Sequence, residues 1–224
     1  MRSPGESCQY RRYAVTMPFD GECHPDNRER LQPQDVSSIL HLESVAPGIV
    51  DFLSRHAGLS FNQSLYRIHA VGDMRRWTAA VINAFPDFRE RAFCFSCDWL
   101  GRHFSIDFGR REQSQCLILM FEPGTGQALE IPATFRDFHN VELVEYQNAA
   151  LAADFYHTWL TAGGAIPDFT QCIGYNKPLF LNGADDVSNL ELIDMKVYWS
   201  LLGQLLAKTR HLPEGTRISN IHIG

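Results

Sequence analysis

The sequence predicts an α+β fold: a mostly antiparallel sheet with flanking helices and a helical C-terminal half. Two observations carry this. Four short apolar segments, separated by turn residues, follow one another between residues 92 and 131, as in an antiparallel meander. Helical apolar spacing appears on both sides of them, over 73–85 and again after Asp194.

The elements follow in order. Ile49, Phe52, Leu53 and His56 have helical spacing, with Pro47 near the start and Gly58 just beyond the end. Leu65–Ile68 is a short strand. Asp73 can cap a helix that places Trp77, Ala80, Val81 and Ala84 on one face and stops at Pro86. Ala92–Cys97, His103–Phe108, Cys116–Phe121 and Ala128–Ile131 are the four strands, with turns at Trp99–Arg102 and Glu122–Gln127. From Phe138 to Gly163 the residues Val141, Val144, Ala149, Ala152, Phe155 and Trp159 fall near helical spacing. An Asn-Gly turn at Asn182–Gly183 precedes a short apolar strand, Leu190–Ile193. Asp194 then caps a helix with a broad apolar stripe through Leu206. Arg217–Ile223 alternates as a closing strand. Three regions result: 1–44, polar and expected to be poorly ordered; 45–138, α+β; and 139–224, helical with a closing strand.

Composition excludes several classes. At 224 residues with 45% apolar content, the chain can bury a sizeable core. No run of 18 apolar residues could cross a bilayer, and the first 30 residues hold no apolar signal core, so a cytoplasmic protein is expected. Net charge is −6, and the deficit concentrates after residue 139. That sign argues against direct binding to nucleic acid and suits a basic protein partner.

Candidate chemistry is sparse. Cys94 and Cys97 have a metal-like spacing, yet no second such pair accompanies them. On a strand, a spacing of three puts them on opposite faces, so buried free thiols are expected. His103 and Asp107 fall on one strand face and could serve as an acid–base pair, which is the enzymatic alternative. His139, Glu142 and Glu145 share a helix face and could ligate a metal, although capping and solvent exposure explain them equally. Gly124-Thr-Gly126 lacks the Lys-Ser/Thr of a phosphate loop. No catalytic, cofactor or metal site is assigned. The candidate partner-binding residues are Tyr175, Asn176 and Lys177 with Asp185 and Asp186 of the acidic loop.

Two stretches give the chain a family character. One runs from Ser60 to Phe108 and includes SFNQSLYRIHAVGDMRRWTAAVINAFPDF and DWLGRHFSIDF. The other is EPGTGQALEIPATFRDFHNVEL, Glu122–Leu143, continued by CIGYNKPLFLNG and NLELIDMKVYWSLLGQLL. Together they resemble a bacterial immunity-protein family with a GAD-like N-terminal region and a C-terminal domain of the type VI secretion DNase-immunity type. The resemblance covers roughly residues 45 to 223 and leaves 1–44 outside it. It implies a non-enzymatic protein that binds and neutralises a cognate toxin, without cofactor and without a membrane partner. A regulatory or scaffold subunit of a defence or secretion locus is the other non-enzymatic reading.

Overall fold

A computed structural model describes residues 18–26 and 34–212. Its centre is a six-stranded antiparallel sheet in sequential order: β1 (Ser60–Phe61), β2 (Tyr66–Ile68), β3 (Ala92–Asp98), β4 (His103–Glu112), β5 (Gln115–Glu122) and β6 (Gln127–Thr134). The four expected strands are β3 to β6, each slightly longer than its apolar run. β6 is an edge strand. Its register jumps from Ile131 opposite Ile118 to Thr134 opposite Leu117, so Pro132 falls where no ladder hydrogen bond is needed.

A β-bulge in β3 corrects the reading of the cysteines. Cys94 pairs with Ser105 and Ser96 with Phe104, leaving Phe95 as the extra residue. The bulge turns Cys94 and Cys97 onto the same face, where both pack in one apolar cluster, while Phe95 enters the cluster opposite. Both thiols are free and buried, as expected.

Each face of the sheet carries a layer. On one lie α3 (Val71–Ala84) and, from the end of the chain, α8 (Met195–Thr209). Tyr198, Trp199, Leu202, Leu205 and Leu206 of α8 join Trp77, Val81, Cys94, Cys97, Leu119 and Phe121 in its core. Asp194 caps α8 as expected, its Oδ1 accepting from the N–H groups of Lys196 and Val197 at 2.9 Å. Asp73, in contrast, is not the cap of α3. The helix begins at Val71, and Asp73 lies in its first turn, where a carboxylate favours the helix dipole.

The other face is covered by α1 (Pro18–Glu22), a 3₁₀ stretch at Ser37–Ser44 and α2 (Ile49–His56). The Glu43 carboxylate caps α2 by accepting from Gly48 and Val50 N–H at 2.8 and 3.1 Å. Segment 1–44 was expected to be poorly ordered, yet its described parts place Phe19, Cys23, Ile39 and Leu42 in the core. Phe19 has no exposed surface and meets the rings of Phe52, His56, Phe61, Tyr66 and His139. Mean polarity hid a single well-placed aromatic.

The C-terminal region combines the helices that the spacing predicts with a second, two-stranded sheet. After β6 come α4 (Phe135–Asp137), a π-helical turn at Phe138–Glu142, α5 (Leu143–Glu145), α6 (Gln147–Leu151) and α7 (Ala153–Thr161). Ala152 stands at φ +50°, a left-handed conformation that separates α6 from α7. A two-stranded antiparallel sheet follows, β7 (Gln171–Tyr175) paired with β8 (Leu190–Asp194). The expected 190–193 strand is β8; its partner β7 carried no readable apolar alternation. The strand expected at 217–223 lies outside the described residues.

Imidazoles are buried without charge on both faces. His139 Nδ1 lies 2.9 Å from the Phe135 carbonyl and Nε2 3.0 Å from the Tyr66 hydroxyl, which itself donates to Ser96 at 2.7 Å. On the opposite face, His69 and His103 stack with centroids 5.0 Å apart. Burial lowers His103 and His139 to about 3 and pushes His69 well below its usual range.

Two predictions follow from this packing. Phe19→Ala removes a buried ring shared by five neighbours, so urea unfolding should show a loss of about 3 to 5 kcal/mol; a loss under 1 kcal/mol would mean that α1 is not docked. The histidines set the acid limb. Their folded pKa values lie below the unfolded 6.5, so their contribution is fully present above that pH and drains as pH falls toward about 3. Unfolding free energies should stay nearly level from pH 7.5 to about 6.5 and then fall, by up to about 1.4 kcal/mol per pH unit for each such histidine, down to pH 4.5. A flat profile would show that these rings are protonated in the fold.

Candidate functional site

The candidate recognition residues gather at the end of β7 and in the loop leading to β8. Tyr175 is the last residue of β7 and is buried. Its N–H donates to Tyr198 Oη at 3.1 Å, and its own hydroxyl donates to Asp185 Oδ1 at 2.6 Å. Tyr175 thus supports the loop from beneath. Burial and the Asp185 carboxylate together push its phenol far above the ordinary tyrosine range.

Asn176, Lys177, Asp185 and Asp186 are exposed. The loop beneath them is closely tied. Lys177 N–H donates to Asn189 Oδ1 at 3.0 Å, while Asn189 Nδ2 donates to the carbonyls of Lys177 and Ala184, both at 2.8 Å. A 3₁₀ turn at Leu179–Leu181 ends at Asn182, whose φ of +60° turns the chain back. Gly183 then packs onto the Lys177 carbonyl so closely that a Cβ would overlap it. Asp186 caps the next 3₁₀ turn, Val187–Asn189, by accepting from Ser188 N–H at 2.8 Å. The Ser188 hydroxyl, which donates to the same oxygen, and then its N–H hold the Asp186 carboxyl below the usual range, so it is ionised at neutral pH. The result is a rigid turn presenting carboxylates, with Glu191 exposed on the neighbouring strand. Half-buried Glu122 stands behind it; burial raises its carboxyl, and Arg102 opposes the rise.

The other sequence candidates do not assemble. Strand alternation puts His103 and Asp107 on one face, as expected, but they engage different partners. Asp107 is held by Arg91 Nε at 2.7 Å, by Arg91 Nη2 at 2.8 Å and by Arg110 Nε at 2.7 Å. This guanidinium clamp keeps its carboxyl below the usual range. His103 lies among Trp77, Trp199 and His69, with Nδ1 3.1 Å from the Gly101 carbonyl. Both groups have no exposed surface. His139 faces the core, whereas Glu145 faces outward, so the π turn separates the residues that a regular helix would align. No trio of His, Cys, Asp or Glu stands at metal-binding distance among the described residues.

Sequence reasoning missed the stacked His69–His103 pair and the groove above it, between α3 and α8. The groove holds about 410 Å³ and is lined by residues including Arg76, Trp77, Lys196 and Trp199. The signal lies in two large rings, Trp77 on α3 and Trp199 on α8, whose edges line the groove. Among the described residues, no helix is long and apolar enough to cross a membrane.

No family model matches the chain, and no curated protein matches it. Among solved structures it is similar to Atu4351 from Agrobacterium tumefaciens, with a TM-score of 0.54 and 14% identity. The match covers 80% of this chain and 85% of that one. At that identity the likeness speaks to the fold alone: the sheet and its helical layers recur in a protein of largely different sequence.

Proposed function

We propose that this chain is a non-enzymatic immunity protein that binds and neutralises a basic bacterial toxin in the cytoplasm, a secreted nuclease being the class its sequence resemblance suggests. The carrying observation is the rigid acidic turn. Asp185 and Asp186 are exposed on a loop fixed by Tyr175, Asn189 and Gly183, and Glu191 and Lys177 lie beside it. A preformed carboxylate array costs little ordering entropy on binding, and it suits a surface built to hold phosphates. Asn176 and Lys177 supply neutral and cationic contacts at its border. The dispersal of His103 and Asp107 into separate buried environments lends weight to binding over catalysis.

Two experiments test this. Co-expression with the product of the adjacent gene should yield a stable complex on pulldown and rescue growth; a toxin at that locus with neither result would overturn the reading. Within a complex, Asp185→Lys with Asp186→Lys should weaken affinity roughly ten- to a hundred-fold at low salt, mainly by slowing association. The loss should shrink as salt rises. Unchanged affinity at low salt would remove the acidic turn from the interface.

A further inference from the structure

The helix layer contains a second surface with the opposite character. α3 and α8 pack closely at Gly203, where an added Cβ would lie 3.4 Å from that of Ala84. Beside this contact the facing side chains are small, Ala80 on one helix and Ala207 on the other, and they leave the groove of about 410 Å³ open to solvent. Its lining is mainly apolar, including edges of Trp77 and Trp199, each almost wholly buried. Among the described residues, no carboxylate lines it. The charged groups that do are Arg76 and Lys196, both exposed. Arg76 lies over the Trp77 ring, 5.4 Å from its centroid. Its ion pair with Asp73, at 3.3 Å, is half exposed on both sides, so it competes weakly with a ligand.

We propose that this groove binds an amphipathic carboxylate, a small molecule with one anionic head and an apolar body of roughly ten carbons, a size within the ordinary range for such cavities. The apolar body lies along Ala80, Ala207 and the indole edges, removing apolar surface from water. The head is held by Arg76 and Lys196, the only charged lining groups among the described residues. A protein segment of the same polarity would use the same chemistry; the groove is small enough that the small molecule is the better fit.

The probe is decanoate, kept below its micelle concentration and titrated into the full chain while indole emission is followed. Uncharged 1-decanol is the control. Decanoate should bind saturably and roughly ten-fold more tightly than decanol, the difference being the charge-assisted contact. Arg76→Gln with Lys196→Gln should bring decanoate to the affinity of decanol. Ala207→Leu, filling the groove from an exposed position, should weaken both ligands. Amide shifts in NMR spectra should concentrate on α3 and α8. Lack of saturation, equal affinity for both probes, insensitivity to both substitutions, or shifts centred elsewhere would each overturn the proposal. Asp185→Lys with Asp186→Lys should leave decanoate binding unchanged, so this site stands or falls separately from the immunity reading.

Discussion

Arg67 is a guanidinium with no exposed surface, and its two terminal nitrogens gather carbonyls from distant parts of the chain. Its Nη1 donates to the carbonyls of Asp168 and Gln171 at 2.5 and 2.6 Å, and its Nη2 to the Asp98 carbonyl at 2.8 Å. The Asp98 side chain accepts from Arg102 Nε at 2.5 Å and from the N–H groups of Leu100 and Arg102 at 3.0 Å. Arg102 in turn reaches the Ala150 carbonyl at 3.2 Å. One buried polar network therefore joins β2, the β3–β4 turn, α6 and the approach to β7. A buried charge tolerates few arrangements, and here the acceptable one requires the C-terminal segments to close over the sheet. Trp99 reinforces the same junction: its indole N–H donates to the Leu151 carbonyl, and its own carbonyl accepts from Ile173 N–H, both at 2.8 Å.

That closure explains why the two notable surfaces differ. The β7–β8 pair lies at the junction, and its connecting loop is rigid because Tyr175 and Asn189 bond across it. α8 leaves the same pair through the Asp194 cap and crosses onto the opposite face of the sheet, where it meets α3. Carboxylates collect on the loop, whereas the helix groove is lined by apolar and neutral polar groups with Arg76 and Lys196 as its charges. A short stretch of chain thus separates an acidic surface from a groove suited to anions.

What the sequence disclosed followed the range of the forces involved. The meander from β3 to β6 was legible because alternation and turn chemistry act over a few residues. The Asp194 cap was legible for the same reason. The β3 bulge was not: Phe95 is accommodated by its partners on β4, and nothing within Phe93–Asp98 marks the extra residue. Nor was the break at Ala152, since an alanine gives no sign of a left-handed conformation. Phe19 was overlooked because its neighbours are polar and its partners lie up to 120 positions away, at His139. Of the candidate site, the exposed acidic residues were placed correctly as a loop. The buried role of Tyr175 depended on Tyr198, a contact that no local pattern encodes.

The five buried free thiols among the described residues have a practical consequence. Burial raises Cys23 to about 12 and Cys97 to about 11, and moves Cys94 and Cys172 in the same direction. None is a competent nucleophile while the fold is closed. They fall in four structural units: Cys23 beside α1, Cys116 in β5, Cys172 in β7, and Cys94 and Cys97 together in β3 under the α3–α8 layer. The order in which a thiol reagent modifies them is therefore a record of which layer lifts first. The chain carries its own set of opening probes, spread over both faces of the sheet and the C-terminal strand pair, without an introduced label.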